Sequence, residues 1–373
     1  MRIVRKISFV PLMLLAFASM PAQEGPNKDV GETVAKPRKA DSTTPEDTNL
    51  PPIPSKLSNK TKADLPAGAP AFKVDTSVVN VDVAVLDNKG HFIPNIPRGN
   101  FRVLEDNVPQ QISNFSMGEA PMTVCLLIEF SARYQQYWSG PWYNTLTASY
   151  GFLQTLKPDD YVAVIAYDLK STILSDFSSD KRKAYEAMQM LRIPGFSESN
   201  MFDALADTAD RMSGIEGRKA IILIATGVDT FSKLTYDKAR KALQEAGVPI
   251  YAIGIREMIN PYWGGMPNEG MTSMVAENEL KTFAKETGGM ALFPHFIGEF
   301  PTVYGAIEQS LRNQYSLAYS PSNQAKDGSY RKIKVELVNP ATNEPLRVTD
   351  EKGKPVKYSV VAKAGYKAPR EVE

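Results

Sequence analysis

The chain has 373 residues, enough for two folded units of ordinary size, and its 43 basic residues nearly balance its 42 acidic ones. That balance offers no basic footprint for nucleic acid and no polybasic surface for a membrane. With one cysteine (Cys125) and two histidines (His91 and His295), neither an intramolecular disulfide nor a Cys/His zinc site can be built.

Residues 1–22 place Arg2, Arg5 and Lys6 before an apolar run at 7–20 and end in small residues, the layout of a signal peptide cleaved after Ala18 or Ala22. The run is short for a membrane span; its retention as an N-terminal anchor is the alternative. The reading is export, to the periplasm, the cell surface or the medium, with no membrane span once the signal is cleaved. Residues 23–70 contain eight prolines and no aromatic residue. Such a stretch buries too little apolar surface to offset its ordering entropy, so it reads as a disordered linker.

Residues 71–119 read as a β segment. Val79, Val81, Val83 and Val85 alternate with smaller or polar residues, "DNKG" at 87–90 supplies turn chemistry, and "FRVLEDNVPQQISNF" gives two short strands around a turn at Asp106 and Asn107. Over 120–314 the pattern becomes alternating strands and helices. Strands are expected at 123–128, 161–167, 220–225, 250–255 and 290–293, as short apolar runs suited to a sheet covered on both faces. Between them, Ala184, Ala187, Met188 and Leu191 share one helical face, as do Phe202, Leu205, Ala209 and Met212. "LTYDKARKALQEAGV" ends at Gly247, a helix stop. This alternation predicts an α/β fold with a doubly wound, mostly parallel sheet. Residues 315–368 return to β character, and 355–364 is too short and polar for a membrane span. The α/β module is therefore either inserted in one discontinuous, sandwich-like β domain or flanked by two small β appendages.

Ligands of a doubly wound sheet bind at the carboxyl ends of its strands. Three loops there carry oxygen donors: Glu129 and Ser131 with Arg133, then "SESNMFDAL" with Ser199, then "IATGVDTFS" with Thr226 and Asp229. These loops resemble the metal-ion-dependent adhesion site of von Willebrand factor type A domains. That family has Asp-x-Ser-x-Ser in the first loop, a Thr in the second and an Asp in the third. The resemblance implies a vWA/Rossmann-like fold and a hard-oxygen site suited to Mg²⁺ or Mn²⁺. Here Glu129 takes the place of the first Asp, Ser131 matches the first Ser, and Arg133 replaces the second. Ser199 stands in for the Thr, and Thr226 replaces the Asp before Gly227. A guanidinium has no lone pair to give a metal, and at an effective dielectric near 20 it would repel a dication by several kcal/mol. The expectation is a degenerate, metal-free site in which Arg133 pairs with Glu129 or Asp229. The alternative is an Mg²⁺- or Mn²⁺-dependent adhesion module in which Glu129, Ser131, Ser199 and Asp229 hold the ion.

The order of the flanking pieces, from "VVNVDVAVLDNKGHFI" to the terminal "AKAGYKAP", is similar to the VWFA-related domain proteins of Acidobacteria. That resemblance implies export and a non-enzymatic interaction role, adhesion or scaffolding. Trp138 and Trp263 sit in Gly/Pro-rich loops at the same end of the sheet and suggest an aromatic docking face for a protein, or for a glycan. A secreted hydrolase using Glu129 and Asp229 as a carboxylate pair is the remaining alternative. Cys125, inside an apolar strand, reads as core.

Overall fold

The structure is a computed structural model and describes residues 78–118, 120–131, 141–191, 196–255, 269–349 and 354–370. Its central sheet contains β5 (Met122–Glu129), β6 (Tyr161–Tyr167), β7 (Ser171–Ser178), β8 (Arg218–Ala225), β9 (Ile250–Gly254) and β10 (Ala291–Leu292). Their order is β10-β9-β8-β5-β6-β7, and every neighbouring pair is parallel except β6 with β7. The helices are α1 (Pro141–Thr155), α2 (Lys181–Gln189), α3 (Met201–Ser213), α4 (Tyr236–Ala246), α5 (Glu269–Thr287) and α6 (Phe300–Arg312).

The period-two alternation of a strand divides β5 between two cores. Val124, Leu126 and Ile128 pack with Phe152 of α1, Met188 of α2 and Ile307 of α6. Cys125 and Leu127 face the other way, toward Leu205 of α3, Leu243 of α4 and Phe283 of α5. Each fully buried Leu or Ile here contributes about 1.5–3 kcal/mol. Helices therefore cover both faces, the doubly wound arrangement expected from the sequence. The antiparallel edge strand β7 was not expected. Its residues, STILSDFS, are partly exposed and lack the apolar run of a covered strand.

The segments on either side of this module build one two-sheet unit. One sheet has the order β15-β1-β11-β4, from β15 (Tyr358–Ala362), β1 (Val79–Asp87), β11 (Gln314–Tyr319) and β4 (Ile112–Gly118). The other runs β16-β12-β2-β3, from β16 (Gly365–Lys367), β12 (Tyr330–Leu337), β2 (Phe101–Glu105) and β3 (Val108–Gln110). Val81 and Val83 of β1, Val103 of β2, Tyr315 and Leu317 of β11 and Ile333 of β12 share one core. The β2–β3 turn places Asp106 at φ 47° and Asn107 at φ 69°, the left-handed pair that a two-residue hairpin requires. A short ribbon of β13 (Val348–Thr349) and β14 (Pro355–Val356) completes the unit. Among the described residues no helix is long and apolar enough to cross a membrane.

The chain enters the α/β module after β4 and leaves it into β11, and these strands pair with Gly118 opposite Gln314. The Arg218 guanidinium donates to the carbonyls of both Gly118 and Arg312, tying entry to exit. Beneath it the buried Asp160 carboxylate accepts from Arg312 Nη2 at 2.9 Å, Met122 N at 2.9 Å and Lys157 N at 2.7 Å. Removing one partner of a buried pair leaves the other charge uncompensated. Asp160→Ala is expected to cost about 3–5 kcal/mol in urea unfolding. A loss below about 1 kcal/mol would show that the junction does not rest on this carboxylate.

Candidate functional site

The carboxyl ends of β5, β6 and β8 meet at Glu129, which lies opposite Tyr167 in the β5–β6 register, while Ile128 lies opposite Ile224 of β8. Thr226 therefore follows β8 directly beside Glu129. The Glu129 carboxylate is 1% exposed. Its Oε2 accepts from Thr226 N at 2.7 Å and Thr226 Oγ1 at 2.8 Å, and its Oε1 accepts from Ser131 Oγ at 3.0 Å. The three positions taken from the first and third loops thus bond to one another. Ser131 and Thr226 are equally enclosed.

Ser199 approaches from the second loop, held by its backbone. Ser199 N donates to Thr230 Oγ1 at 2.9 Å, and Ser199 O accepts from Thr230 N at 2.8 Å. Its buried Oγ lies close enough to the Tyr167 hydroxyl to influence it, yet neither atom forms a well-aligned hydrogen bond among the described residues. Burial pushes the Tyr167 phenol well above its ordinary value, and the Glu129 and Asp229 charges add to the shift while the Ser199 hydroxyl acts the other way. The phenol is therefore a protonated donor at the floor of the cleft. Sequence reading missed it because Tyr167 is simply the last residue of an apolar strand.

Asp229 has a different task. Its Oδ1 accepts from Phe202 N at 3.2 Å and from Ser232 Oγ, and its Oδ2 accepts from Ser232 N at 3.3 Å. Phe202 lies in the first turn of α3, and the preceding Asn200 makes no side-chain cap. Asp229 supplies that cap from another loop, where a carboxylate also meets the positive end of the helix dipole. Asp203 N donates to Ser232 Oγ, and its carboxylate accepts from Lys233 N and Leu234 N, so the second and third loops are laced together.

Among the described residues this donor set does not fit a six-coordinate dication. Glu129 already accepts from three donors, Thr226 offers a hydroxyl where a carboxylate would be needed, and Asp229 is committed to α3. Ser199 Oγ is the position left open. No group of three or more His, Cys, Asp or Glu side chains among the described residues could hold a metal ion. Arg133, Trp138 and Trp263 lie outside the described residues, so the structure brings together Glu129, Ser131, Ser199, Thr226 and Asp229 of the expected site.

The rim is apolar. Gly227 has φ 81°, and a Cβ there would lie 2.8 Å from Leu280 Cδ1 of α5, so the third loop is pressed onto that helix. The first turns of α5 leave Met271 and Met274 exposed, and Phe196 and Phe231 stand out from the second and third loops. Sequence reading singled out none of these four. On the neighbouring turn, burial and then the Asp229 charge push the Glu279 carboxyl up to about 7.

Two outcomes are expected. Gly227→Ala should lower the melting temperature, since the left-handed backbone and the Leu280 contact both oppose a Cβ; an unchanged melt would show that the loop yields. Glu279 favours its neutral form in the folded state, so its contribution is full below the unfolded carboxylate pKa and is lost as pH rises through about 7. Glu279→Gln should flatten that part of a melting-temperature profile between pH 4.5 and 8, and an unaltered profile would show that the proton sits elsewhere.

Residues 124–296 match the family model of the von Willebrand factor type A domain. Among solved structures, proximal thread matrix protein 1 from mussel byssus is 14% identical over 52% of this chain and 50% of its own, with a TM-score of 0.41, so the chain spans about half of its length. The vWF domain of the type V pili tip protein Mfa5 from Porphyromonas gingivalis is 14% identical over 52% of this chain and 97% of its own, at a TM-score of 0.40. A von Willebrand factor type A structure from Catenulispora acidiphila is 11% identical over 79% of this chain and 75% of its own, at 0.40. Likenesses at this level carry no argument about binding. No curated protein matches the sequence. The doubly wound sheet agrees with the fold that the family match over residues 124–296 implies, a von Willebrand factor type A fold.

Proposed function

We propose that this chain is an exported, non-enzymatic protein-interaction module of adhesion or scaffold type whose three-loop site works without a metal ion. The observation that carries the reading is a buried Glu129 carboxylate bonded from within by Ser131 and Thr226, with exposed apolar side chains on the second and third loops and the start of α5. Ser131 and Thr226 spend their hydroxyls on Glu129, while Phe196, Phe231, Met271 and Met274 are 46%, 62%, 72% and 65% exposed. A cluster of large apolar groups around a rigid polar centre is the make-up of a protein-docking face, and flexible methionines suit it to an uneven partner. From the sequence alone, Arg133 would add a built-in positive charge to this module, and Trp138 and Trp263 would add anchors. The flanking β order supports kinship with the VWFA-related proteins of Acidobacteria, and the N-terminal layout supports export. Hydrolysis is disfavoured because Glu129 and Asp229, its carboxylate pair, are both committed to structural hydrogen bonds.

Calorimetric titration of the purified chain with Mg²⁺ and Mn²⁺ is expected to show no saturable uptake. Micromolar binding that Ser131→Ala abolishes would overturn the metal-free reading. Phe231→Asp with Met274→Asp is expected to abolish capture of a protein partner from the surface of the producing cell, with the melting temperature unchanged. Capture that survives this change, or that a glycan competes away, would remove the protein-docking assignment.

A further inference from the structure

The seam between the α/β module and the two-sheet unit holds a trough that the three-loop site does not explain. Its larger part has a volume of about 540 Å³, within the range of small-molecule sites. The floor is aliphatic: Met290 and Ala291 from the module, Ile333 and Val335 from β12, and Val360 and Val361 from β15. The walls carry Lys281 and Lys285 of α5, Lys334 of β12 and Lys363 after β15, and no acidic residue lines this part.

Two of these ammonium groups are already occupied, Lys281 with Glu277 and Lys334 with Glu336 at 2.7 Å. Lys285 and Lys363 have no ion pair among the described residues. Lys363 is half-buried, and desolvation holds its ammonium below the ordinary lysine range, against a raising effect from Asp82 and with a further lowering one from Lys219. The Asp82 charge offsets only part of the cost of taking this ammonium out of water, and an anion in the trough would relieve more of it.

The trough continues through Met290 and Val361 into a second space of about 330 Å³, floored by Leu86, Leu292, Val303 and Ala306. Asp87 and Lys89 both line that part, one charge of each sign. One end is therefore cationic, the middle aliphatic, and the far end carries no net charge. Lys285 lies about 16 Å along α5 from Met274, so this trough is separate from the apolar rim of the three-loop site.

We propose that the seam binds an anionic amphiphile: a single carboxylate held by Lys285 and Lys363, with an unbranched aliphatic chain laid over Val361 and Met290 toward Leu292. The charge pattern selects the head group and its direction, and the aliphatic floor supplies the affinity at about 0.8 kcal/mol for each methylene removed from water.

The test is calorimetric titration of the full chain with dodecanoate below its micellar concentration, beside butyrate and dodecyltrimethylammonium. One saturable dodecanoate site is expected, with butyrate at least tenfold weaker and the cationic chain weaker still. Lys285→Glu, an exposed position that leaves the fold intact, should weaken dodecanoate at least tenfold, and Lys363→Gln should do so independently. Equal binding of the cationic chain, an affinity indifferent to Lys285→Glu, or no saturable site would each overturn the assignment.

Discussion

Everything above the sheet depends on how the α/β module is joined below it. A module inserted into another fold must begin and end at nearly the same place, or its host is pulled apart. Here the two crossings are held side by side by the β4–β11 pairing, and one guanidinium, Arg218, binds the carbonyls of both. Asp160 then ties the start of β5, the turn before β6 and the end of α6 to one carboxylate. Strands β5, β6 and β8 consequently start from a common base, and their far ends arrive in register, which is why Glu129, Tyr167 and Thr226 meet.

At that far end two of the departures from the adhesion-site pattern that the sequence resembles, Glu129 and Thr226, form a matched pair. Glutamate reaches one methylene further than the aspartate it replaces, and threonine offers a donor where a carboxylate would repel. Together they make the Glu129–Thr226 bond, reinforced by the Thr226 amide. A buried acceptor bonded in this way fixes the geometry of the loops that carry its donors. Asp229, displaced by three positions, fixes the third loop to α3 instead.

The fold was largely legible in the sequence because a sheet covered on both faces has to be written as apolar runs. The runs at β5, β6, β8 and β9 declare themselves, and Gly247 marks the end of α4 through the left-handed conformation it adopts at φ 61°. β7 was hidden because an edge strand needs no such run. The site was legible only in part. Loop positions pointed to Glu129, Ser131, Ser199 and Thr226, yet nothing local tells that Asp229 caps a helix whose first turn lies 27 residues earlier. The exposed Met271 and Met274 and the effect of the Asp229 charge on Glu279 depend on where α5 lies against Gly227, a tertiary fact that composition does not carry.

The join between α6 and β11 also decides how the molecule would bear tension. A single residue, Asn313, separates α6 from β11, so a pull passed along α6 reaches β11 at Gln314 with almost no slack. A restraint acting through the residues before β1 would reach the same sheet at Val79. The register pairs Val79 with Tyr319 and Val83 with Tyr315, so the two pulls enter adjacent antiparallel strands at opposite ends of their ladder. The ladder is then loaded in shear, all its hydrogen bonds sharing the strain at once, and not peeled open one bond at a time. The insertion that brings the three loops into register would thereby set the β1–β11 ladder to bear such a load.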